Sequence, residues 1–218
     1  MMKKRYSMTL LVLMLLFLSG CATKYPDKDT VYIQKNGKIS EATVASFDKD
    51  YYNEDELKSF IEDAIASYEE TDDAGKVSMK DFKVEDQTAK LMMAYEDGDT
   101  YSAFNDREFF AGTVVQAIAA GYQFDADFVE VTDGVMAKDT DSTESLTEES
   151  TEAGSYQTVS ASAFTAEDDY RVVILNEDTD VEVKGKISYV SAKGVTVTGK
   201  NTATVTTLNQ GVSYIVYK

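Results

Sequence analysis

The sequence predicts an α+β body: an N-terminal antiparallel sheet with one long and one short helix, then a small C-terminal all-β module. Three observations predict it. An apolar stripe at helical spacing occupies residues 53–70. Runs that alternate every second residue lie on both sides of that stripe. Residues 157–218 are rich in β-branched side chains, with glycines at turn-like intervals.

The elements follow in chain order. "TVYIQKNGKISEATVASF" holds two β-prone runs around Asn36-Gly37, a pair that tolerates positive φ and marks a hairpin. In "YYNEDELKSFIEDAIASYEE" the residues Leu57, Phe60, Ile61, Ala64, Ile65 and Tyr68 form one helical face. That spacing predicts a helix from Asn53 to Glu70 whose apolar face enters the core. Asn53 is a good N-cap with Glu56 three residues on, and Glu54, Asp55 and Glu56 suit the positive end of the helix dipole.

Val77, Met79, Phe82 and Val84 predict a strand with a bulge near Asp81, and Leu91, Met93 and Tyr95 predict its partner. A short strand is expected over Glu108–Ala111, then a short helix over Val114–Ala120. Thr113 and Gln116 have capping-box spacing for that helix, and Gly121 is placed to end it. "DFVEVTDGVMA" predicts one more strand. From Tyr170 onward the pattern predicts four or five short strands, forming a small antiparallel barrel or sandwich.

Residues 138–156 are different in composition. They hold six acidic residues and one large aliphatic side chain, Leu146. Such a segment buries too little surface to offset its ordering entropy, so a disordered linker is expected there. The expected organisation is a leader at 1–20, a tether at 21–30, an α+β lobe at 31–137, this linker, and a β module at 157–218.

Composition limits the chemistry. The chain has 218 residues, no histidine, one cysteine and a net charge of −18. The absent imidazole removes the commonest general base, zinc ligand and near-neutral pH switch. A single cysteine excludes an intramolecular disulfide. The negative charge disfavours nucleic acid and anionic lipid headgroups as partners.

The N-terminus has a pattern of its own. Lys3, Lys4 and Arg5 precede an apolar run from Met8 to Leu18, and Leu18-Ser19-Gly20-Cys21 follows. An eleven-residue run is shorter than the roughly 20 residues that span a bilayer, and it suits a signal peptide. The tetrapeptide resembles the lipobox of bacterial lipoproteins. That resemblance implies a diacylglyceryl group, and further palmitate-type acylation, on Cys21. It also implies cleavage before Cys21 and residence on the outer, extracytoplasmic face of a membrane, the cell membrane in a Gram-positive organism. Loss of the leader takes the net charge to about −21. The body would then be held by lipid rather than by charge. The runs "FDKDYYNEDELKSFIEDAIASYEE" and "YSAFNDREFFAGTVVQAIAAGYQF" resemble clostridial-type lipoproteins, which implies a location and no activity.

Candidate chemistry is sparse. Asp48, Asp50, Glu54, Asp55 and Glu56 crowd Tyr51 and Tyr52, as an acid–base pair or a calcium site would. Read as an EF-hand from Asp48, the fifth and sixth positions are Tyr52 and Asn53, which breaks the pattern. Read from Asp97, Asp99 and Glu108 fit, but Tyr101 and Ser102 stand at the fifth and sixth positions. No nucleophile elbow, phosphate loop or dinucleotide fingerprint occurs. The expectation is lipidation at Cys21, with no catalytic, cofactor or metal residues. The role expected is binding or scaffolding for an envelope protein or a glycan; the 14 tyrosines read first as fillers of half-buried strand and helix positions, and second as the lining of a groove for glycans or peptides. The alternative is an envelope enzyme using a carboxylate pair across a cleft, as glycan hydrolases do.

Overall fold

The structure is a computed structural model, and it describes residues 25–72, 74–139, 156–209 and 211–218. Local signals account for many of its elements. Strands β1 (Thr30–Ile33) and β2 (Ile39–Ser46) form the expected hairpin. Gly37 adopts φ +83°, and its N–H donates to Gln34 O at 3.1 Å. Helix α1 (Glu54–Glu69) starts at Asn53, whose Oδ1 accepts from Glu56 N–H at 3.1 Å. Strands β3 (Val77–Glu85) and β4 (Thr88–Tyr95) pair antiparallel, with a register shift between Met79 and Asp81.

Next comes a helix that the hydrophobic pattern did not reveal, α2 (Gly98–Asn105). It is followed by β5 (Phe109–Thr113), which starts and ends later than expected, and by α3 (Val114–Ala119). Thr113 and Gln116 form both halves of a capping box, at 3.1 and 2.9 Å. Strands β6 (Phe128–Thr132) and β7 (Val135–Met136) close the first half.

The second half begins with β8 (Thr158–Val159) and the short helix α4 (Ser162–Thr165). It continues with β9 (Arg171–Leu175), β10 (Thr179–Val183) and β11 (Ile187–Ser191). Strands β12 (Val195–Val197), β13 (Thr202–Val205) and β14 (Ser213–Tyr217) complete it. Six strands therefore stand where four or five were expected.

The α+β class holds, but the division into two lobes does not hold for strand pairing. One sheet, here called A, runs β12-β13-β10-β1-β2-β4-β3. The other, sheet B, runs β5-β9-β14-β11-β6-β7, with β8 also on β6. Strands from before and after the acidic segment share both sheets. β1 pairs with β10 in parallel, while β5 with β9 and β6 with β11 pair antiparallel. The reason is burial. Val173 and Leu175 of β9 face one core while Val172 and Ile174 face another, and β14 divides in the same way. A strand apolar on both faces must be covered on both. A separate β module of this size would leave one of those faces wet.

The first core lies between the sheets, where Val31, Ile33, Val181 and Val183 of sheet A meet Val129, Val173, Leu175 and Ile215 of sheet B. The second covers the outer face of sheet B, where α3, α4, Phe124 and Phe128 pack over Val172, Ile174 and Tyr214. Most of the acidic segment, 140–155, lies outside the described residues. Its two ends meet, because Lys138 bridges Tyr156 and Gln157 N–H donates to Ala137 O at 3.0 Å.

The face of α1 is a second correction. None of its residues is buried. Ile61, Ile65 and Tyr68 only flank the core, packed beside Met79 and Leu91. The helix packs on β3, the edge strand of sheet A, where its apolar face is only partly covered.

Candidate functional site

Two carboxylates meet where the sheets join. Glu41 lies on β2 in phase with Ile39, so its side chain points inward. Glu177 follows β9 and is only 8% exposed. Tyr95 of β4 donates to Glu41 Oε2 at 2.7 Å. Tyr101 of α2, fully buried, has its hydroxyl 3.0 Å from Glu177 Oε1 and 3.4 Å from Glu41 Oε1. Arg107 closes the outer side with an ion pair to Glu177. Aromatic edges fix the tyrosines in place: Tyr95 meets Tyr101 at 5.0 Å, and Tyr101 meets Phe109 at 4.6 Å.

Proton counting limits how this cluster can be hydrogen-bonded. The Tyr101 hydroxyl has one proton and two carboxylate neighbours, and Glu177 is the nearer. Glu41 Oε1 then faces the Tyr101 oxygen with no proton between them, unless Glu41 carries one. A protonated Glu41 would donate to Tyr101, which donates to Glu177, which accepts from Arg107. Every polar group is then satisfied. Consistent with this, burial pushes the Glu41 carboxyl above its ordinary range, partly opposed by the Tyr95 hydrogen bond. Burial and the neighbouring Glu41 raise both the Tyr95 and Tyr101 hydroxyls well above theirs, so both stay neutral donors.

A signal for Glu41 was present in the sequence. It is an acid at an inward position of an alternating strand, where an apolar residue is the rule. Nothing local marks Glu177 as its neighbour.

The acidic candidates named from sequence do not assemble into one centre. Asp97 Oδ1 caps α2, accepting from Thr100 N–H and Oγ1 at 2.8 and 2.7 Å, so it is a helix cap. Asp48 pairs with Lys49 at 3.1 Å. Asp50, Glu54, Asp55 and Glu56 are exposed around the start of α1. Among the described residues no group of three or more acidic side chains is arranged to hold a metal ion. Cys21 lies outside the described residues.

Two surface features complete the inventory. A cleft of about 480 Å³ is lined by Asp27, Asp29, Asp178 and Asp180 with Lys28 and Thr204. Three of these carboxylates brace the fold: Asp29 accepts from Val44 N–H at 2.7 Å, Asp178 from Thr207 N–H at 2.7 Å and Asp180 from Thr204 Oγ1 at 2.6 Å. The second feature is a groove of about 520 Å³ between α1 and the ends of β2 and β4. Phe47, Tyr51, Tyr52 and Phe60 form its walls, with the small residues Ala45 and Ala89 also lining it.

Comparison of the chain with known protein families, with curated proteins and with solved structures finds no match at any of the three levels.

Proposed function

We propose that the chain is a lipid-anchored extracytoplasmic protein with a binding or scaffold role. The observation that carries this reading is Leu18-Ser19-Gly20-Cys21 placed directly after a basic and then apolar leader. Tyr25, four residues after Cys21, already contacts Lys83, so the chain between Cys21 and Tyr25 spans at most about 14 Å and would hold the body close to the bilayer. Among the described residues no helix is long and apolar enough to cross a membrane, so the acyl chains at Cys21 would supply the attachment. The Tyr25 ring lies under Lys83 Nζ at 5.2 Å, which ties the start of the body to the edge strand β3.

Metabolic labelling with an alkynyl fatty acid tests the anchor. The wild-type chain incorporates label, and Cys21→Ala abolishes it and releases the protein from the membrane fraction. Unchanged incorporation in Cys21→Ala sinks the reading.

The second reading, an envelope enzyme with a carboxylate pair, has one observation in its favour: Glu41 and Glu177 share Tyr101. Both are already hydrogen-bonded to buried tyrosines, which suits a structural role better. Hydrolysis of purified envelope glycan, lost in Glu177→Gln with the fold intact, would reverse that preference.

A further inference from the structure

We infer that the groove beside α1 is the docking surface for a basic amphipathic helix of a partner protein. The inference deepens the binding role proposed above and names the partner by its chemistry.

The groove is apolar, open and built of rings that hold each other. Phe47 and Tyr52 stand 5.0 Å apart, and Tyr51 meets Tyr52 edge-on at 5.0 Å. Yet Tyr51 is 77% exposed and Phe60 71%. Val115, Ile118 and Val135 are exposed elsewhere, but only here do exposed aromatic rings, Tyr51, Tyr52 and Phe60, gather in one patch among the described residues, as at interaction sites. The small residues Ala45 and Ala89 leave room for an inserted apolar side chain. This is the arrangement in which one face of a helix docks through anchors one turn apart.

Charge selects the occupant. Helix α1 carries Glu54, Asp55, Glu56, Glu62, Asp63 and Glu69 against one basic residue, Lys58. The preceding loop adds Asp50. Glu56 lines the groove, and Asp55 and Asp63 stand with Phe60 on the adjoining surface, so this apolar patch with an acidic flank matches apolar anchors flanked by Lys or Arg. A second copy of the chain would bring the same acidic rim face to face with this one. An anionic bilayer would meet like charge as well.

The test is fluorescence anisotropy with the full chain in non-ionic detergent and two labelled 18-residue peptides, one an amphipathic Lys/Leu helix, the other its Glu/Leu counterpart. The Lys/Leu peptide binds and is weakened by salt, and the Glu/Leu peptide does not bind. Phe60→Ala with Tyr51→Ala weakens the Lys/Leu peptide at least about tenfold, while Asp178→Asn with Asp180→Asn, in the acidic cleft, does not. Equal binding of both peptides, or no effect of the Phe60 and Tyr51 changes, overturns the inference. So does dimerisation, or capture on phosphatidylglycerol vesicles, that Phe60→Ala abolishes. Comparing the two peptides on the wild-type chain needs no variant to fold. Lipid labelling at Cys21 is a separate readout, so loss of peptide binding leaves the anchor reading standing.

Discussion

The two ends of β2 show what cover does to similar strand patterns. At its start Ile39 is fully buried, and Glu41 reaches Tyr95 and Tyr101 under sheet B. At its end Ala45 and Ser46 are exposed, and Phe47 stacks on Tyr52 beside open solvent. Sheet B roofs the first end, and α1 only leans over the second. The covered end therefore turns polar side chains into a fixed hydrogen-bonded cluster. The open end leaves aromatic side chains available to something outside the fold.

That contrast should appear first as a difference in stability. Leu175→Ala, in the core beneath the covered end, is expected to lower unfolding free energy by about 3 kcal/mol, read from urea denaturation. A loss comparable to that of an exposed site would mean the roof is loose and the contrast is false.

Next in size is Arg107→Ala. It leaves the Glu177 carboxylate unpaired in a nearly dry site and is expected to cost about 2 kcal/mol. In a Glu177→Gln background the same change should cost much less, which a double-mutant cycle measures. Full additivity would show that the pair does not hold the cluster.

Glu41→Gln sharpens the comparison through pH. The Glu41 carboxyl is raised in the folded state, so the native protein holds its proton more tightly than the unfolded chain does. The resulting stability is complete below the unfolded carboxyl value and is lost as pH rises through the folded value. Gln mimics the protonated form at all pH. The gap between wild type and Glu41→Gln should therefore shift against the wild type as pH rises from about 4 to about 8. A gap that does not change with pH would place the proton elsewhere.

The smallest effect belongs to the open end. Phe60→Ala is expected to change stability by no more than about 0.5 kcal/mol, because little is packed against the ring. A cost near that of Leu175→Ala would mean that the groove belongs to the core.

Much of the local structure was legible before any fold was known. Asn53, the Thr113–Gln116 box, Gly37 and the bulge at Asp81 all act within a few residues, where a short window holds the whole cause. Helix α2 escaped because its signal was a cap rather than a stripe. In the sequence Asp97 is weighed only against a calcium loop, whose pattern fails, and not as a cap, and "TYSAFN" has too few turns to show a periodicity. The exposed face of α1 escaped for the opposite reason: its stripe is strong, but a stripe says that burial is available, not that a neighbour is present.

By itself the sequence determined the acidic charge, the caps and turns, and the α+β class, and it supplies the basic and apolar N-terminal pattern before Cys21 on which the proposed anchor rests. These follow from composition and from contacts a few residues apart. Only the tertiary structure decided that β1 pairs with β10, that Tyr101 reaches Glu177 76 residues away, and that α1 is left half-covered. Each of those depends on which surfaces compete for the same cover. That competition is settled by the whole chain burying its apolar area together, and no local stretch encodes it.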